Sequence, residues 1–101
     1  MEERVIIWTP EASADIFEIV GFVKNVSVES ASMLSKELHE AVESLKTFPE
    51  RYPVFFHIKL LNISVRKCVV NKRYLVLYYV YCDKIMIGRI LDSRRRFGSL
   101  L

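Results

Sequence analysis

Three consecutive arginines, Arg94, Arg95 and Arg96, follow the apolar stretch IMIGRILD and form the densest positive charge in the chain. Guanidinium groups bind carboxylates and phosphates through forked, charge-assisted hydrogen bonds, so the row is the first candidate for chemistry. The bias extends beyond it. Residues 1–50 carry 4 Lys/Arg against 10 Asp/Glu, a net of −6, whereas residues 51–101 carry 11 against 2, a net of +9. Such a second half points to an anionic partner, either nucleic acid or an acidic protein segment. The plainer alternative is that these side chains solvate exposed strand positions. Other reactive types are sparse. His39 beside Glu40 and His57 in an apolar stretch have no partner at ligand or triad spacing, which suits structural or surface roles. Cys68 and Cys82 lack any CxxC or Cys/His metal pattern and are expected to be buried thiols in a reducing compartment.

The chain of 101 residues, 51% of them hydrophobic, is one domain's worth and is expected to form a single domain over 1–101 without metal or disulfide staples. Apolar runs are broken by charge well short of the roughly 20 residues a membrane span needs. The opening MEER is acidic where a secretory signal would be basic, so a cytoplasmic address is expected.

Hydrophobic periodicity gives the elements that must position these residues. RVIIW reads as a strand ending at TPE, where Thr9 can cap a helix that Pro10 opens. Ile16, Ile19, Val20 and Val23 recur at helical spacing, with Asp15 and Glu18 off that stripe. After KNVSVES, the residues Ala31, Leu34, Leu38, Ala41 and Leu45 trace a second helix that Phe48 and Pro49 end. The short break predicts an antiparallel helical hairpin with Glu37, Glu40 and Glu43 on its wet side. PERYPVFFHIKLL predicts an irregular but packed connection. ISVRKCVV, RYLVLYYVYC and IMIGRILD then read as strands joined by turns at Asn71–Lys72 and Asp83–Lys84, an antiparallel meander. The middle strand is apolar on both faces and belongs in the sheet's centre, one face under the helices. The expected fold class is α+β: an antiparallel sheet, with the opening strand at an edge, packed by an N-terminal helical hairpin.

This order of elements resembles the RelE/ParE superfamily of toxins from toxin–antitoxin modules. VIIWTPEASADIFEIVGFV is similar to the family's opening strand and first helix, with Trp8, Ala12, Asp15, Ile16 and Ile19 at matching places. LHEAVESLKTFPER resembles the end of its second helix, and VRKCVVNKRYLVLYYVYCDKIMIGRILDSRR its three-stranded sheet with an arginine on the first strand and basic residues after the last.

The resemblance implies a growth-inhibiting toxin of a type II, plasmid-stabilisation-type module, neutralised by a cognate antitoxin in a hetero-oligomer, with no cofactor, metal or membrane. Two mechanisms divide the superfamily. ParE-like members act on DNA gyrase, whereas RelE-like members cleave mRNA on the ribosome without metal. Such cleavage must deprotonate the 2′-hydroxyl, hold the phosphate by fixed positive charge and protonate the leaving oxygen. On the RelE-like reading, Arg66 on the meander's first strand and Arg94 after its last fall at catalytic cationic positions. The remaining set departs: Cys68 and Leu75 stand at basic positions, Asp92 where relatives carry histidine, and Phe97 where the tail carries tyrosine. Tyr79 and Tyr81 could substitute, although tyrosines of a central strand ordinarily serve as amphipathic core residues. The polar positions are therefore nearer to ParE. Endonuclease activity and a non-enzymatic interaction domain with decayed toxicity remain the alternatives.

Arg66, Arg89, Arg94, Arg95 and Arg96 are the expected contacts for target or antitoxin. Asp92 is expected to pair with one of the terminal arginines. If the last strand continues past Asp92, alternation places at least one arginine over the open sheet face near Arg66. An acidic, largely disordered antitoxin segment would then anchor apolar side chains in grooves, including exposed parts of PVFFHIKLL, and set carboxylates near Arg66, Arg89 or Arg94.

Overall fold

The structure, a computed structural model, describes residues 4–56 and 62–94. Strand β1 (Val5–Trp8) leads into helix α1 (Pro10–Lys24), a short turn, and helix α2 (Val28–Glu43). Two 3-10 turns, Ser44–Lys46 and Pro49–Arg51, precede β2 (Arg66–Val70), β3 (Tyr74–Tyr81) and β4 (Lys84–Asp92). The helices begin where side-chain oxygens satisfy free amide donors: Thr9 accepts from the Ala12 N–H and Ser27 from the Ser30 N–H. Pro10 at the first turn of α1 has no N–H to leave unpaired. The second helical stripe runs to Leu45 as expected, but the α-helix itself ends at Glu43 and a 3-10 turn carries Leu45 into the core. Phe48 then reverses the chain in the left-handed region, φ 54°, immediately before Pro49.

The sheet order is β1-β4-β3-β2. The meander is antiparallel and β3 lies inside it, as its two apolar faces require. The sheet as a whole is mixed, because β1 joins the edge parallel to β4. The hairpin and the connection return the chain to the end where β1 starts: the Arg4 N–H donates to Lys46 O, and Arg4 pairs with Glu50 at 3.4 Å. β2 consequently sets out in the same direction as β1.

One sheet face, formed by Cys68, Val70, Tyr74, Val76, Tyr78, Ile85, Ile87 and Ile90, packs on Ile19, Leu34, Leu38, Val42 and Leu45 from the helices. The connection is packed, as expected. Pro49 and Phe55 are buried, the Phe55 N–H donates to Val65 O, and the Lys67 N–H donates to Pro53 O, so residues 53–55 flank the start of β2. Phe55 and Val65 cover Leu75, Leu77 and Leu91 on the outer face, while Phe56 is exposed. His57 and the rest of HIKLL, residues 57–61, lie outside the described residues.

Both hairpin turns place two consecutive residues at positive φ, the geometry that matches strand twist: Asn71 and Lys72 in the first, Cys82 and Asp83 in the second. The second turn thus lies one residue earlier than the sequence suggests, closed by the Tyr81–Lys84 pair. This also corrects the expectation for the thiols. Cys68 is buried, and burial pushes its pKa up, but Cys82 is exposed in the turn.

Candidate functional site

Asp15 is the first departure from the helical pattern. It sits off the apolar stripe of α1, yet it faces β4 rather than solvent. Its Oδ2 accepts from Arg89 Nε at 2.7 Å and from the Ile90 N–H at 2.9 Å, and its Oδ1 accepts from Arg89 Nη2 at 3.0 Å. The reason lies in the sheet edge. β1 pairs with β4 only as far as Ile87 and then turns into α1, leaving the backbone of β4 beyond that point without a neighbouring strand. Thr9 covers the first part, its Oγ1 donating toward Ile87 O and Gly88 O, and Asp15 covers the next. Gly88 is the extra residue where pairing with β3 shifts register between Leu77 and Tyr78. Arg89 is therefore held within the molecule, and the paired carboxylate raises its pKa. Nothing in the sequence besides an acid four residues before Ile19 marked this pairing.

Arg66 lies on the helix-facing side of β2 at its outer edge, in line with Cys68 and Val70. Its Nη1 donates to Tyr52 O at 2.7 Å and to Glu50 O at 3.1 Å, pinning the connection after the second 3-10 turn. Behind it, Tyr78 is fully buried and donates its hydroxyl to Pro49 O at 2.6 Å. Burial is the main cause of a strong upward shift of the Tyr78 phenol pKa. Arg66 and Tyr78, a cross-strand pair, thus tie one segment to the sheet.

At the opposite end of the sheet, Asp92 pairs with Arg73. Arg73 Nε and Nη2 donate to its two carboxylate oxygens at 3.1 and 2.8 Å, and the guanidinium stands 5.2 Å over the Tyr74 ring. β4 stops there. The Ser93 N–H donates to Arg73 O and the Arg94 N–H to Asp92 Oδ1, so the chain turns instead of extending the strand. Arg94 is exposed, and Arg95 and Arg96 lie outside the described residues.

Contrary to expectation, these positions keep Arg66 and Arg94 from meeting over the open face. Arg66 is level with Tyr78 and Asp92 with Tyr74, four residues or about 13 Å along β3 at normal strand rise, and Arg66 occupies the helix side. Cys68 and Leu75, at positions that are basic in RelE-like enzymes, are both buried. The outer face instead presents Tyr79, half-buried, and Tyr81, exposed, so the tyrosines of the central strand are not both core residues. Lys67 and Lys84 lie in line with Leu77 and Tyr81 on that same face. His39 is exposed on α2, its ring 5.5 Å from Trp8 and its Nδ1 2.8 Å from Ser35 O. Among the described residues, no group of three or more His, Cys, Asp or Glu side chains is placed to hold a metal ion, and no helix is long and apolar enough to cross a membrane.

Comparison with known proteins agrees with this architecture. Residues 6–97 match the model of the ParE toxin of the type II toxin–antitoxin system parDE. Toxin RelE2 of Caulobacter vibrioides is 30% identical over 90 residues, covering 89% of this chain and 96% of that protein. The solved chromosomal ParDE system from P. aeruginosa contains a chain that matches with a TM-score of 0.71 at 21% identity, covering 89% of this chain and 96% of that one, a likeness of fold. The chain belongs to the family of ParE toxins of type II toxin–antitoxin systems.

Proposed function

We propose that this toxin inhibits growth in the cytoplasm by acting on DNA gyrase and that a cognate antitoxin neutralises it, an arrangement suited to plasmid stabilisation. Membership in the family implies an antitoxin partner. The observation that carries the choice of target is the position of Arg66. Metal-free RNA cleavage needs a cation free to meet the phosphate beside an acid and a base. Arg66 is instead engaged with the carbonyls of Glu50 and Tyr52, and Arg94 stands at the far end of the sheet. This supports a binding mechanism over an RNA-cleaving one. Arg94, with Arg95 and Arg96, remains the expected contact for the target.

One preparation of toxin, assayed both on gyrase supercoiling and on mRNA-programmed ribosomes, tests the proposal. Inhibited supercoiling without mRNA cleavage is expected, and replacing Arg94 and Arg95 with alanine is expected to weaken the inhibition. Ribosome-dependent cleavage with gyrase unaffected would replace the proposal with the RelE-like mechanism.

A further inference from the structure

The last described strand ends beside a groove. The Ser93 N–H donates to Arg73 O, and Arg73 lines an open hollow of about 330 Å³ together with Val23, Met33, Leu34, Glu37 and Tyr74, between the helical hairpin and the start of β3. Leu34 and Tyr74 are buried and Val23 is half-buried, whereas Met33 is 60% exposed. A cavity of about 150 Å³ holds a benzene ring, so the hollow has room for a phenyl group. Its acid is equally telling. Glu37, expected on the wet side of α2, is half-buried at this apolar hollow and makes no ion pair among the described residues. A carboxylate in such a place gains from a cation.

We propose that this groove is the seat of the chain's own C-terminal segment, residues 95–101, with Phe97 inserted between Met33 and Tyr74 and Arg95 set against Glu37. The sequence RRFGSLL supplies both features in the required order. Side chains two apart share one side of an extended segment, so Arg95 accompanies Phe97 to the groove while Arg96 faces away. The docked segment thereby gives Arg94 and Arg96 a fixed base at the end of the sheet, whichever target the toxin has.

Reach and charge select this occupant. Arg94 follows the residue bonded to Arg73 at the groove's edge, and Phe97 lies three residues on, a span of up to about 10 Å. A short flexible tether gives its ligand an effective concentration in the millimolar range, which favours docking within one chain over docking into a second copy. Nucleic acid is disfavoured by Glu37, the charge that the groove leaves without an ion pair among the described residues.

Met33 reports on the seat, and half-buried Met86 in β4 is the internal reference. The free, full-length toxin is treated with dilute hydrogen peroxide, and sulfoxide formation at each methionine is followed by peptide mass spectrometry. Met33 is expected to oxidise no faster than Met86. Phe97→Asp is expected to speed Met33 oxidation by about fivefold or more, with Met86 and the circular dichroism spectrum unchanged. Glu37→Arg is expected to speed it by about threefold, and Glu37→Arg combined with Arg95→Glu to restore protection. Met33 oxidising several times faster than Met86 in the unaltered toxin, at a rate indifferent to Phe97→Asp, would overturn the proposal. Protection that fades on dilution would place the segment in a second copy and overturn docking within one chain. Protection that arises only when the antitoxin is bound would give the groove to the antitoxin instead.

Discussion

Arg66 shows how a residue picked for catalysis can serve structure. Its guanidinium holds two carbonyls of the connection, so Arg66→Ala is expected to lower unfolding stability by about 1–2 kcal/mol, the range for a partly exposed charged donor. An unchanged urea midpoint would contradict that assignment. Tyr78→Phe is expected to cost about 1 kcal/mol by leaving Pro49 O unpaired. Tyr78 also sets an alkaline limit. Its folded pKa is raised, so its contribution is complete below the ordinary tyrosine pKa of about 10 and is lost as pH rises above it. Fluorescence-monitored unfolding of the native protein is expected to become easier above about pH 10, and the Tyr78→Phe variant is expected to lose part of that dependence. The sequence marked Arg66 as a cation but not its partners, because the groups that engage its guanidinium are the backbone carbonyls of Glu50 and Tyr52, whose positions come from a turn and the residue that follows it. Carbonyls carry no residue-type signature.

Elements were far more legible than partners. Thr9-Pro10, the Leu34–Leu38–Leu45 spacing and the change to strand pattern from Ile63 onward each follow from local physics, and each element formed, although α2 stops at Glu43, β2 starts only at Arg66 and the second turn lies one residue early. What local pattern does not contain is direction: β1 joins parallel to β4 because the connection returns the chain to the end where β1 starts, where Arg4 meets Lys46 and Glu50. Asp15 was likewise unreadable as a partner of the sheet, since an acid off a helical stripe ordinarily faces water. Its role predicts a large effect. Asp15→Ala leaves Arg89 and the Ile90 N–H without their acceptor at a half-buried edge and is expected to cost about 2–3 kcal/mol, measured by denaturant unfolding. Thr9→Ala, which removes an N-cap and the same edge's other cover, is expected to cost about 1–2 kcal/mol. A loss below about 0.5 kcal/mol in both would mean that the edge needs no cover.

At the scale of the whole molecule, charge divides the chain into an acidic helical half and a basic sheet half, and two signals of different range follow for any acidic partner. Apolar burial is not screened by salt, whereas electrostatic steering is. The association rate with the antitoxin is expected to fall as salt rises from about 50 to 500 mM, while the dissociation rate changes little. A rate independent of salt would remove the role given to the basic half. The gyrase reading has one most direct test: supercoiling by purified gyrase, titrated with the toxin and then with the antitoxin. The account predicts that supercoiling is inhibited by the toxin and restored as the antitoxin reaches stoichiometry. Full supercoiling at a large molar excess of folded toxin would contradict it.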